Sequence, residues 1–98
     1  MQYSLVVKPK ECYNLANQVS FIPTIPTGHS IQNLSSDITI EVSVCTAPLI
    51  GDWTTHATYL APGETAPFNP RDAYCKYRLN VYNPGDNDVT IGFSTYGG

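Results

Sequence analysis

Charge is the first thing this sequence is short of. Asp, Glu, Lys and Arg make up 13% of its 98 residues, about half of the ~25% usual in soluble domains. The five basic residues, Lys8, Lys10, Arg71, Lys76 and Arg78, sit in a chain of net charge −3. Binding to phosphate backbones needs clustered Lys and Arg, so a nucleic-acid partner is not expected. Long apolar runs are missing too. No stretch approaches the ~18 apolar residues that would cross a bilayer, so no membrane partner is expected. Met1-Gln2-Tyr3-Ser4-Leu5-Val6-Val7 has no charged region leading into an apolar segment, so no signal peptide is read there. Cysteine is sparse and odd in number, at Cys12, Cys45 and Cys75. Without an export signal this implies free thiols in a reducing cytoplasm; a disulfide between two of them cannot be assigned from spacing.

Catalytic signatures are also lacking. There is no Gly-x-Ser-x-Gly elbow, and nothing in the spacing brings His29 or His56, the two histidines, beside a cysteine. Neither Cys-x-x-Cys nor His-x-x-x-His occurs, so no metal or other cofactor is expected. Asp86-Asn87-Asp88 lacks the alternating ligands and distal Glu of a calcium loop and reads as solvated turn. Asp37, Glu41, Asp52, Glu64 and Asp72 fall at strand ends and loops, where no deep cleft for paired carboxylates is expected. Asn33-Leu34-Ser35 matches a glycosylation sequon, a match without meaning in a chain that is not secreted. The expectation is a protein that is not an enzyme.

What is present is β patterning. No segment has amphipathic helical periodicity, and there is no repeat of solenoid length. The last quarter, Tyr74 to Tyr96, reads as one long β-hairpin. Tyr77, Leu79 and Val81 alternate with Lys76, Arg78, Asn80 and Tyr82 on its first arm, and Val89, Ile91 and Phe93 with Thr90, Gly92 and Ser94 on its return. Asn83-Pro84-Gly85-Asp86 supplies the turn, Pro84 presetting φ and Gly85 offering the positive φ of a type II turn. In Asp37–Cys45, Ile38, Ile40, Val42 and Val44 face one way and predict a half-buried antiparallel strand that covers the hairpin. Tyr3–Val7, stopped by Lys8-Pro9-Lys10, predicts an edge strand; Gln18–Ile22 predicts a short strand; Glu11–Ala16 is a helical turn or a connection. Trp53–Leu60 has no cleanly apolar face and predicts an edge or contact strand. Ala61-Pro62-Gly63-Glu64 repeats the Pro-Gly turn, and Thr65–Pro70 reads as a proline-rich loop.

Short strands at this spacing, punctuated by Pro and Gly, predict a single all-β domain over residues 1–98. The expected architecture is a small antiparallel β-sandwich or jelly-roll-like barrel. Residues 36–98 form its main body, and residues 1–35 form an N-terminal extended segment, arm or edge strands. Ile22–Ser30, with Pro23 and Pro26, is either that arm or a crossover between sheets. A surface rich in Ser, Thr, Asn and tyrosine suits contact. The candidate interaction residues are Phe21, Ile22 and Ile25 in the proline-rich segment, and the polar or aromatic positions Trp53, His56, Tyr59, Tyr82 and Tyr96. Trp53 is either part of an exposed platform that stacks on sugar rings or anchors a protein, or a plug for one end of the sandwich.

The block from Ser36 onward resembles the small β-sandwich decoration (cement) and minor structural proteins of tailed bacteriophage virions. The likeness rests on Ile38-Thr39-Ile40-Glu41-Val42-Ser43-Val44, the following Trp53, the Ala61-Pro62-Gly63-Glu64 turn, Tyr77-Arg78-Leu79-Asn80-Val81-Tyr82-Asn83 and Val89-Thr90-Ile91. It implies a protein made in host cytoplasm and assembled onto a virion. There it would stabilise the phage head as a homotrimer through contacts with the major capsid protein or other virion proteins. A tail or head-completion protein is one alternative. A carbohydrate-binding module using Trp53, Tyr59 and the outward tyrosines is another.

Overall fold

The computed structural model describes residues 2–95, so Tyr96 lies outside the described residues. Eight strands follow one another with no helix among the described residues. They are β1 (Gln2–Val7), β2 (Cys12–Thr24), β3 (His29–Asn33), β4 (Ile40–Ala47), β5 (Thr54–Leu60), β6 (Thr65–Phe68), β7 (Tyr74–Tyr82) and β8 (Val89–Thr95). They form two four-stranded sheets, β1-β8-β3-β6 and β2-β7-β4-β5. Every pairing is antiparallel. Only β4 and β5 are successive in sequence and adjacent in one sheet; every other connection passes from sheet to sheet, the connectivity of a jelly roll. The all-β sandwich expected from the sequence is the fold.

The alternation that marks each strand also places the core. Ile40 and Val42 from β4 and Tyr77, Leu79 and Val81 from β7 face Ile31 from β3 and Val89 and Ile91 from β8, all essentially without solvent exposure. Outward positions on β4 and β7 remain half-buried or exposed, except Ala47 at the end of β4, which is buried.

The terminal hairpin does not form. β7 pairs with β2 and β4, and β8 pairs with β1 and β3, so the two arms lie in opposite sheets. Two strands with one apolar face each can bury it side by side in one sheet or face to face across a core. Period-two alternation fits both, and residues 83–88 bridge the ~10 Å between sheets instead of closing a tight turn. Hence β4 does not cover β7 but runs beside it, from Glu41↔Tyr82 to Ala47↔Lys76. Gly85 does not use the positive φ expected of it, which occurs instead at Gly51 and Gly63. A Cβ at Gly85 would meet Ile38 Cδ1 at 2.7 Å, so this glycine serves close approach. At Ala61-Pro62-Gly63-Glu64 the Pro-Gly reading holds: φ is 81° at Gly63 and Glu64 N donates to Ala61 O at 3.0 Å.

The N-terminal third is not a free arm. β1 and β2 are edge strands, whereas β3 is interior between β8 and β6. Glu11–Ala16, read as a helical turn or connection, belongs mostly to β2, and Gln18–Ile22 is the later part of that same strand. Of the two readings of Ile22–Ser30, the crossover is observed: the chain leaves β2 at Thr24 and enters β3 in the other sheet at His29.

Candidate functional site: the outer face of the β2-β7-β4-β5 sheet

Four strands in register turn their outward side chains into rows. One row runs Cys12, Tyr82, Glu41, Tyr59; the next runs Asn80, Ser43, Ala57 with Asn14 at the β2 edge; a third runs Asn17, Arg78, Cys45, Thr55. Two tyrosines therefore flank the Glu41 carboxylate across three neighbouring strands. Tyr59 is 63% exposed because β5 is the sheet edge, with no strand beyond it to cover the ring. The central row is polar and held in place: Asn14 Nδ2 donates to Asn80 Oδ1 at 2.8 Å. At the opposite end the Arg78 guanidinium lies 4.6 Å from the Trp53 ring centroid.

Trp53 is 38% exposed, at the entry to β5. It does not plug the sandwich, whose core is filled by aliphatic side chains with Phe68 and Tyr77. The face thus has an aromatic group at each end, Trp53 and Tyr59 being six residue steps apart along the chain, roughly 20 Å when extended. Neutral hydrogen-bonding groups lie between.

The candidates picked from sequence fall into separate places. Trp53, Tyr59 and Tyr82 share the outer face. His56 lies on the inward side of β5 and lines a cavity with Phe68 and Tyr77. Phe21 and Ile22 are 87% and 76% exposed in the outer part of β2, and Ile25, just beyond that strand, is 59% exposed. There the β2–β7 ladder is interrupted between Val19 and Thr24. Ser20 Oγ and Thr24 Oγ1 both donate to Ile22 O, at 2.7 and 2.9 Å, which fixes the segment as a bulge.

Sequence reasoning missed Arg78 and Asn80 as site residues, although both stood on the outward parity of β7. What was invisible was the register that sets Arg78 beside Trp53 and Asn80 beside Ser43.

All three cysteines are free. Burial, then Cys45 and Glu41 nearby, push the Cys12 thiol up, away from the nucleophilic thiolate. Cys45 accepts from Thr55 Oγ1 at 3.5 Å on the outer face, while His56, the next residue, faces inward. No group of three or more His, Cys, Asp or Glu that could hold a metal occurs among the described residues. Asp86 is solvated and pairs with Lys10 at 3.7 Å. Asn33 of the sequon is fully buried and its Nδ2 donates to Ile38 O and Leu60 O, so the folded chain offers no acceptor amide there.

No family model matches the chain, and no curated protein matches it in sequence. Solved structures do. The structure called PirA superposes with a TM-score of 0.84 at 16% identity, over 97% of this chain and 93% of that one. A de novo designed double-stranded β-helix gives 0.63 at 18% identity, over 97% of both chains. The Drosophila melanogaster CENP-C cupin domain gives 0.57 at 13% identity, over 97% of this chain and 59% of that one. At these identities the likeness shows the fold, a double-stranded β-helix of the jelly-roll and cupin kind.

Proposed function

We propose that this protein is a non-catalytic recognition module that binds an extended saccharide along the outer face of the β2-β7-β4-β5 sheet. The observation that carries the reading is the row Tyr82–Glu41–Tyr59, two phenol rings flanking a carboxylate on three adjacent strands. Aromatic faces stack on the C–H surfaces of sugar rings, a carboxylate between them accepts from ring hydroxyls, and a side-chain amide both accepts from and donates to them. Asn14, Asn80, Ser43 and Thr55 extend that hydrogen-bonding surface toward Trp53. Binding of the intact chain to a glycan array tests the reading. Tyr59→Ala and Trp53→Ala should each abolish the signal while far-UV circular dichroism stays unchanged. Retention of binding in the double variant would refute it.

A second reading is the virion role implied by the family resemblance, in which the chain decorates a phage head as a homotrimer. What supports it is the apolar bulge at the β2 edge, where Phe21 and Ile22 stand almost free of the domain. An edge strand with exposed apolar groups suits completion by a neighbouring protein. Phe21→Ala, Ile22→Ala and Ile25→Ala together should weaken shell attachment without unfolding the domain. Unchanged attachment, or absence of the protein from virions, would count against this role.

A further inference from the structure

Charge is distributed unevenly over the outer face of the β2-β7-β4-β5 sheet. Its strand positions carry two of the chain's five basic residues, Lys76 and Arg78, and one of its eight acidic ones, Glu41. In a chain of net charge −3, this face is therefore net positive. The two signs also lie at opposite ends. Glu41 is level with Tyr82, whereas Arg78 is level with Cys45 and Lys76 with Ala47, toward Trp53. Arg78 is four residues from Tyr82, roughly 13 Å along an extended strand. That exceeds the ~8 Å screening length at physiological salt, so Glu41 does little to cancel the positive end.

The fold does not use either base in an ion pair. The one salt bridge among the described residues joins Lys10 to Asp86, and Asp52, exposed next to Trp53 in sequence, pairs with neither base. Arg78 is itself exposed, so a solute reaches it. Its guanidinium lies 4.6 Å from the Trp53 ring centroid. An aromatic ring holds a guanidinium by its cationic charge and leaves the in-plane N–H groups free to donate. Those donors form a planar fork that matches the two oxygens of a carboxylate. Trp53 thus pre-orders a fork that has no acid to bind within the domain.

We propose that the saccharide bound along this face is acidic, with a carboxylated sugar unit, a uronate or a sialate, at the Trp53 end. Its carboxylate accepts from the Arg78 guanidinium with Lys76 beside it, and neutral units lie over Tyr59 and Tyr82. This rests on the saccharide reading above and adds to it the ligand's charge and its direction along the sheet.

The test is binding of the intact chain to a glycan array that carries uronate and sialate oligosaccharides beside their neutral methyl esters and beside sulfated glycans. The acids should bind about tenfold more tightly than their esters, the equivalent of one charge-assisted hydrogen bond. Added salt should weaken the acids and leave the esters unchanged. Arg78→Gln should erase the preference while ester binding persists. Arg78→Lys, which keeps the charge without the fork, should restore only part of it. Equal binding of acids and esters overturns the inference and spares the saccharide reading, as does a preference that survives in Arg78→Gln. Binding to no glycan at all overturns both. Tighter binding of sulfated than of carboxylated glycans overturns the carboxylate assignment. Glu41→Gln should change acid and ester binding alike; a gain for the acids alone would put the carboxylate at the tyrosine end and overturn its placement.

Discussion

The Arg78 guanidinium carbon lies 4.6 Å from the centroid of the Trp53 ring. The pair joins β7 to the entry of β5 across β4, which runs between those strands. A cation over an indole at a half-exposed site contributes about 0.5–1 kcal/mol. Arg78→Ala should therefore lower unfolding stability by that amount, and Arg78→Lys by less. Trp53 emission should shift to the red in Arg78→Ala as water replaces the guanidinium. No change in either would show that the contact is incidental.

Asn33 and Asn83 act as internal clasps. Asn33 donates to Ile38 O and Leu60 O and accepts from the Ser35 amide and hydroxyl. Asn83 donates to Val7 O and Asn87 O and accepts from Gly85 N. Each replaces with its own amide the main-chain partners that irregular, buried segments would lack. Alanine at either position should cost about 2–4 kcal/mol in urea unfolding, since buried carbonyls would lose their donors. A cost below that of an ordinary surface substitution would remove this role.

Gly85 and Ile38 are coupled by contact. In Gly85→Ala the new Cβ would lie 2.7 Å from Ile38 Cδ1, so the isoleucine must move, at about 1–3 kcal/mol. Ile38→Val removes that terminal methyl. It should cost less stability in the Gly85→Ala background than in the native one, a double-mutant cycle with measurable coupling. Strict additivity would contradict the contact.

His29 makes stability depend on pH. Burial holds its imidazole below the usual value, while a hydrogen bond at the Thr27 main chain works the other way. The unfolded chain takes up this proton near pH ~6.5, the folded chain only lower. The contribution is thus fully present above the unfolded value and is lost as pH falls through the folded one. The urea midpoint should drop between about pH 8 and pH 5, and His29→Gln should flatten that slope. A slope that survives the substitution would place its origin elsewhere.

Strand identity was legible where burial alternates cleanly. Ile38, Ile40, Val42 and Val44 face inward as their spacing required, and so do Tyr77, Leu79 and Val81. β2 was harder to read because it lies at an edge. Its residues are mostly exposed on both faces and a bulge at Leu15 breaks the alternation, so little apolar period remained to detect. The site was half legible: Tyr59, Tyr82 and Trp53 stood on outward parities, but parity assigns a face and not a neighbour.

By itself the sequence determined an all-β chain, the inward set of each main strand and the Pro62-Gly63 turn, because these depend on contacts only a few residues apart. The tertiary structure alone decided that β7 and β8 oppose one another across the core, that Gly85 makes room for Ile38, and that Tyr59 and Tyr82 flank Glu41. Those are matters of register and sheet membership. They are set by which strand lies alongside which, and alternation of side chains is the same for every such choice.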